Sequence, residues 1–218
     1  MKRVLVLVEG QTEERFVKDV LGPYFASKNL FLFPTVAKTK RVKCGADFKG
    51  GITGFSNVAK DLKQLIKDQN AFVTTFIDYY GLPSDFPGMN SLPNGSPLIK
   101  VCHVETALAQ FINCPRFKPF IMLHEFEALL YTNPSELCRA LHADHKILAT
   151  FMGICNAYQN PEEINNSPST APSKRILNLV PGYQKTLHGP TITRRIGLDT
   201  LRQNCPHFDD WLVWLESL

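Results

Sequence analysis

No stretch of this sequence is apolar enough to cross a bilayer as a helix. Segments such as Phe120 to Leu123 and Ile147 to Ile154 fall well short of the roughly 20 residues required. The apolar run after Lys2 and Arg3 is broken by Glu9, too early for a secretory leader, so the expectation is a cytoplasmic protein that does not enter a membrane. No GxxxxGK[ST] occurs, which argues against a P-loop nucleotide enzyme. No GxGxxG follows the first apolar run, which argues against a dinucleotide dehydrogenase. GxSxG is missing, and with it the usual serine-hydrolase signature. The six cysteines include no CxxC pair. Cys102-His103 and Cys205-Pro206-His207 set a thiol beside an imidazole, but zinc sites want more ligands at regular spacing, so buried reduced thiols are the expectation. There is no internal repeat and no low-complexity tract. A net charge of +4 permits a nucleic-acid partner without demanding one.

What is present is an alternation. Lys2 to Val8 reads as a strand buried on both faces. From Thr12 the period changes, and Phe16, Val17, Val20, Leu21 and Tyr24 fall at helical spacing, with Gly22-Pro23 weakening the last turn. Leu30 to Val36 reads as a second strand, nearer an edge because of Pro34. Ser56 or Asn57 is positioned to cap a helix carrying Val58, Leu62, Leu65 and Ile66. Ala71 to Ile77 is a third strand, followed by a long loop to Pro97. A helix through Val101, Val104, Leu108, Phe111 and Ile112 then leads to a fourth strand over Pro119 to Leu123. This order predicts an α/β fold, with a Rossmann-like parallel sheet of about four strands flanked by helices. Asn133-Pro134 and Asn160-Pro161 read as helix starts. Further helices are expected near 144–158, 172–180 and 206–218. The expected organisation is an α/β domain over residues 1–130 and a helical extension, 131–218, packed on it as a cap.

The acids stand at informative places. The first strand ends at Glu9, the third at Asp78 and the fourth at Glu125, and Glu13 lies four residues beyond Glu9. In an open parallel sheet the carboxyl ends of the strands border the crevice where ligands bind. Carboxylates gathered there stay charged only around a cation, and an all-oxygen donor set selects magnesium or manganese. Each acid also has a plainer role: Glu13 suits a helix first turn, Asp78 a turn, Glu125 a helix surface. Glu9 is hardest to explain otherwise, because an acid closing a buried strand is costly unless paired. His124, beside this group, could shuttle protons or be a structural histidine, and Tyr79 or Tyr80 could serve as a nucleophile.

Basic residues cluster as well. Lys40, Arg41, Lys43 and Lys49 crowd a glycine-bearing stretch, and Lys174-Arg175 form a later pair. Either could grip phosphates or simply be solvated.

"VLVLVEGQTEERF", then "FVTTFIDYYG", "FIMLHEFEALLY" and "PEEINNSPSTAPSKRI", in this order, resemble the Toprim domain. The likeness is to the Toprim-like uncharacterised bacterial proteins often encoded beside an ABC-type ATPase, related to the overcoming-lysogenization-defect nucleases. The resemblance implies magnesium-dependent cutting or joining of phosphodiesters, with nucleic acid as substrate and an ATPase as partner, in defence against phage or other foreign nucleic acid. It implies that Glu9, Glu13, Asp78 and Glu125 hold metal, with Lys174 as a catalytic cation. Lys40, Arg41, Lys43, Lys49 and Arg175 are the residues expected to hold substrate. The sequence departs from the family's Asp-x-Asp motif, since Tyr80 follows Asp78 where a second acid belongs. A second metal would therefore need Asp85 or Glu127. The alternative is a catalytically inactive Toprim-like module that binds a partner ATPase or nucleic acid.

Overall fold

The computed structural model describes residues 1–37, 52–165 and 169–218. Four parallel rows build one sheet. Strand β1 (Lys2–Val8) lies between β2 (Leu30–Val36) and β3 (Ala71–Asp78), and β3 pairs on its far side with β4 (Phe117–Lys118) and β5 (Ile121–Met122). The expected fourth strand is thus two short pieces. Pro119 offers no N–H to a ladder, and the gap is bridged by a side chain: the Thr75 hydroxyl donates to Phe120 O at 2.8 Å and accepts from Phe120 N–H at 2.9 Å. The β2 strand with Pro34 is an edge, as its proline requires.

Alternation of side chains along β1 feeds two cores. Val4, Val6 and Val8 face one cluster, which runs through Phe16, Phe76 and Phe120 to Phe208, Trp211 and Leu212 near the end of the chain. Leu7 faces the other, with Val58 and Leu62 of α3 (Phe55–Leu65) and Val101, Val104 and Leu108 of α4 (Pro97–Ile112). Residues after 130 therefore share a core with one face of the sheet. Phe120 and Trp211 stack at 4.5 Å, and Trp211 Nε1 donates to Thr74 Oγ1 at 3.0 Å, which pins the last helix to the third strand.

Several local expectations are revised. The first helix begins as α1 (Gln11–Phe16), widens into a π turn over Val17–Leu21, and continues as α2 (Gly22–Ala26). The wide turn accommodates Pro23, whose missing N–H would break a regular α-helix. Helix α3 is not capped by Ser56 or Asn57. Gly54 precedes it, and both Asp85 oxygens accept from Phe55 N–H at 3.1 Å. The long loop after Asp78 is thus tied down by that cap and by burial of Leu82 and Phe86. Asn160-Pro161 starts only a single 3₁₀ turn (Pro161–Glu163).

The C-terminal half comprises α5 (Pro134–Ala140), α6 (His145–Asn156), α7 (Pro172–Leu179), α8 (Lys185–Ile196), α9 (Leu198–Asn204) and α10 (Pro206–Ser217). Helices α8 and α9 were not expected; α8 carries Gly189-Pro190 in its interior. The glycine is needed for closeness: a Cβ there would lie 2.9 Å from Phe126 Cε1 and 3.1 Å from Thr12 Cγ2. So α8 sits hard against α1 and the segment after β5.

Candidate functional site

The order β2-β1-β3 means that the chain leaves β1 in one direction and returns on its other side. The carboxyl ends of β1 and β3 therefore border a topological switch point, where open α/β sheets bind ligands. Glu9 and Asp78 stand at those two ends. Register joins them directly: Asp78 N–H donates to Glu9 Oε2 at 3.1 Å, and Glu9 N–H to Phe76 O at 3.3 Å.

The next acids arrive through local structure. Glu13 is the third residue of α1 and takes the Gly10 N–H on Oε2 at 2.9 Å, so its expected first-turn role is real. Its neighbours are nevertheless the strand-end acids. Asp78 Oδ1 accepts from Phe126 N–H at 3.0 Å, fixing the start of a 3₁₀ segment (Phe126–Thr132) that carries Glu125 at its mouth and Glu127 inside it. Glu125 is held by Ser173, through its N–H at 3.0 Å and its hydroxyl at 3.1 Å, at the beginning of α7. Glu127 accepts from the Tyr183 hydroxyl at 3.2 Å and from Lys185 Nζ at 3.1 Å; Lys185 Nζ also stands 3.8 Å from Glu125 Oε1.

The electrostatics follow from five acids and one cation with little water. Glu13, Asp78, Glu125 and Glu127 are buried and Glu9 is partly so. Burial pushes Glu9 and Glu13 up to about 7. For Glu9, the Asp78 N–H and Lys185 hold it down while Glu125 and Glu127 push it up; for Glu13, the Glu9 charge adds to burial. Asp78 is raised well above the usual carboxylate range, by burial first and then by Glu9 and Glu13. Glu127 is raised by burial against the pull of Lys185. Burial lowers Lys185, but Glu127, Glu125 and Asp78 outweigh it, and the net direction is up. These side chains therefore feel one another's charge, and the uncompensated negative charge is what a further cation would relieve.

Among the described residues, Glu9, Glu13 and Asp78 each use one carboxylate oxygen on a backbone N–H, and no bond engages the other. That donor set suits a hard ion. The acids are not closed on a single point, however. Among the described residues the three-membered donor group with all ligand atoms within 4.8 Å is elsewhere, at Cys102, Glu105 and His207. Lys185 instead meets Glu127 and, at 3.8 Å, Glu125.

Other sequence candidates fall in different places. Lys174 is exposed on α7, beside the Ser173 that holds Glu125, and Lys185 is the cation that meets the acids. Arg175 is spent on structure, donating to Thr170 O at 2.6 Å and to the Tyr158 hydroxyl at 3.1 Å. Asp85 caps α3, so of the two acids considered for a second position only Glu127 joins the group. Tyr79 packs against the second core, and burial raises its hydroxyl, the wrong direction for a nucleophile. His124 is buried with Nε2 unpaired, and burial lowers it to about 4, so the ring is neutral. Lys40, Arg41, Lys43 and Lys49 lie outside the described residues. Sequence reading missed Lys185, Ser173 and Tyr183. Ser173 alone had a signal, in the "PSTAPSKRI" stretch; Lys185 opens α8, a helix that the sequence reading did not expect.

No curated protein and no solved structure matches this chain. A family model described as a domain of unknown function, DUF4276, matches residues 8–216, from the end of β1 to the end of α10, and the chain belongs to that family.

Proposed function

We propose that the protein is a metal-dependent phosphodiesterase acting on nucleic acid: a Toprim-like nuclease, or the nuclease subunit of an assembly with an ABC-type ATPase that acts against foreign nucleic acid. The observation that supports this reading is the linked group of Glu9, Glu13, Asp78, Glu125 and Glu127 around the switch point, two of them at the ends of β1 and β3. The ATPase and the defensive role rest on the resemblance of the sequence motifs.

Magnesium or manganese held by Glu9, Glu13, Asp78 and Glu125 would supply an activated water and steady the leaving oxygen. Lys185, already anchored by Glu127, offsets negative charge on the phosphoryl oxygens. His124 stands beside the acids with Nε2 unpaired, but burial holds the ring neutral and opposes its taking a proton, so it is assigned no proton-transfer role. Ser173 fixes Glu125 by bonding to both of its carboxylate oxygens. Labelled DNA and transfer RNA, incubated with magnesium, manganese or chelator, test the reading. Cleavage should need the metal and vanish in Glu9→Gln; cleavage that survives this substitution removes the acids from the mechanism.

A second reading is a non-catalytic module of the same family. It is favoured by Lys185, whose ammonium already neutralises Glu127 and lies near Glu125, and by Tyr80 in place of a second acid. In that case Lys185→Met should destabilise the fold without any activity to lose, and magnesium should bind poorly.

A further inference from the structure

Away from the switch point, two helices each present donors three residues apart. Cys102 and Glu105 share one face of α4, and His207 and Asp210 stand at the start of α10. One ligand atom from each of Cys102, Glu105 and His207 lies within 4.8 Å of the other two. We propose that these three side chains hold a zinc ion that clasps the C-terminal helices to the open edge of the sheet.

The site is held in place before any ion arrives. The first turn of α10 is fixed by buried Glu162, which accepts from His207 N–H at 2.9 Å and Phe208 N–H at 3.0 Å. The His207 ring stacks on Phe120 at 5.3 Å. Glu105 Oε1 accepts from Ile121 N–H at 2.8 Å and lies 3.1 Å from His207 Nε2, which is itself 3.2 Å from Ile121 O. The unpaired edge of β5 is thus covered by this pair.

The donor chemistry differs in kind from the strand-end acids. A thiol, an imidazole and a carboxylate together favour borderline-soft zinc over magnesium, and three protein ligands leave a fourth position for water. Asp210, whose charge reaches the Cys102 thiol, adds negative potential there. Ligand atoms around a tetrahedral zinc sit about 3.5 Å apart. Cys102 is exposed and free to turn the small distance inward. Binding through Nε2 would release the thiol proton and shift the proton of the neutral His207 ring from Nε2 to Nδ1, replacing its contacts with Glu105 and Ile121 O. The ion would join α4, on one face of the sheet, to α10, on the other.

The test uses the full chain stripped with chelator and titrated with cobalt, the spectroscopic stand-in for zinc. Thiolate-to-cobalt charge-transfer absorption should appear at one equivalent, disappear in Cys102→Ser, and persist in Cys114→Ser and in Glu9→Gln. Zinc should raise the melting temperature of the wild type and not of Cys102→Ser. Absence of the band, or its survival in Cys102→Ser, would mean that Glu105 and His207 merely cap the strand edge and would overturn the proposal. Because Glu9→Gln disables only the strand-end site, failure of either site is read separately.

Discussion

Replacing Glu13 with Gln should stabilise the metal-free protein at alkaline pH. Glu13 is buried, and burial, reinforced by the Glu9 charge, moves its carboxyl from 4.5 up to about 7. The sign is the reverse of a salt-bridged acid. Between those two values the folded state binds the proton more tightly than the unfolded chain, so stability is full below pH 4.5 and is lost as pH rises to 7. A displacement of this size corresponds to about 3 kcal/mol at pH 8. The Glu9 charge is part of the rise at Glu13, so the costs of the two acids do not add. Glutamine keeps the acceptor for Gly10 N–H but carries no charge. Urea unfolding in chelator, followed from pH 4.5 to 8, should give matching stabilities at the acid end. At pH 8 the variant should lead by on the order of 1–3 kcal/mol. Parallel pH curves, or a variant weaker at pH 8, would refute the placement of Glu13 in a crowded, dry acid group.

Gly189→Ala should cost about 1–3 kcal/mol, because its Cβ would press on Phe126 and Thr12; an unchanged melting temperature would show that α8 yields without penalty. Asp85→Ala should cost about 1 kcal/mol through loss of the α3 cap, read by chemical denaturation, and no loss would mean that another group takes the Phe55 N–H. Neutralising Lys40, Arg41 and Lys43 together should weaken nucleic-acid binding and flatten its dependence on salt; an unaltered slope in a filter-binding series would mark the three as solvated.

The parallel sheet was legible because β1 and β3 are apolar runs of strand length punctuated by acids, and the intervening helices keep their period. The strand-end acids were legible for the same reason: Glu9 and Asp78 terminate runs that otherwise contain no acid. Contacts brought about by tertiary packing were not. Nothing local says that Asp85, thirty residues downstream, caps α3, or that a threonine hydroxyl bridges a split strand. Lys185 lay in a stretch for which no element was expected, and the close approach of α8 to Phe126 at Gly189 helps deliver the lysine to Glu127. The pairing of Cys102 with His207 was hidden too, since each has a nearer histidine or cysteine in sequence, and those neighbours point to other partners: His103 Nε2 meets Ser91 Oγ at 3.0 Å, and Cys205 is buried.

The most direct measurement is a calorimetric titration of the chelator-treated protein with manganese at pH 8, repeated with Glu9→Gln and Asp78→Asn. If the strand-end acids form a cation site, the wild type binds with proton release, and each substitution abolishes that binding while leaving the fold intact. Binding of equal strength in all three proteins, or none in the wild type, would contradict it.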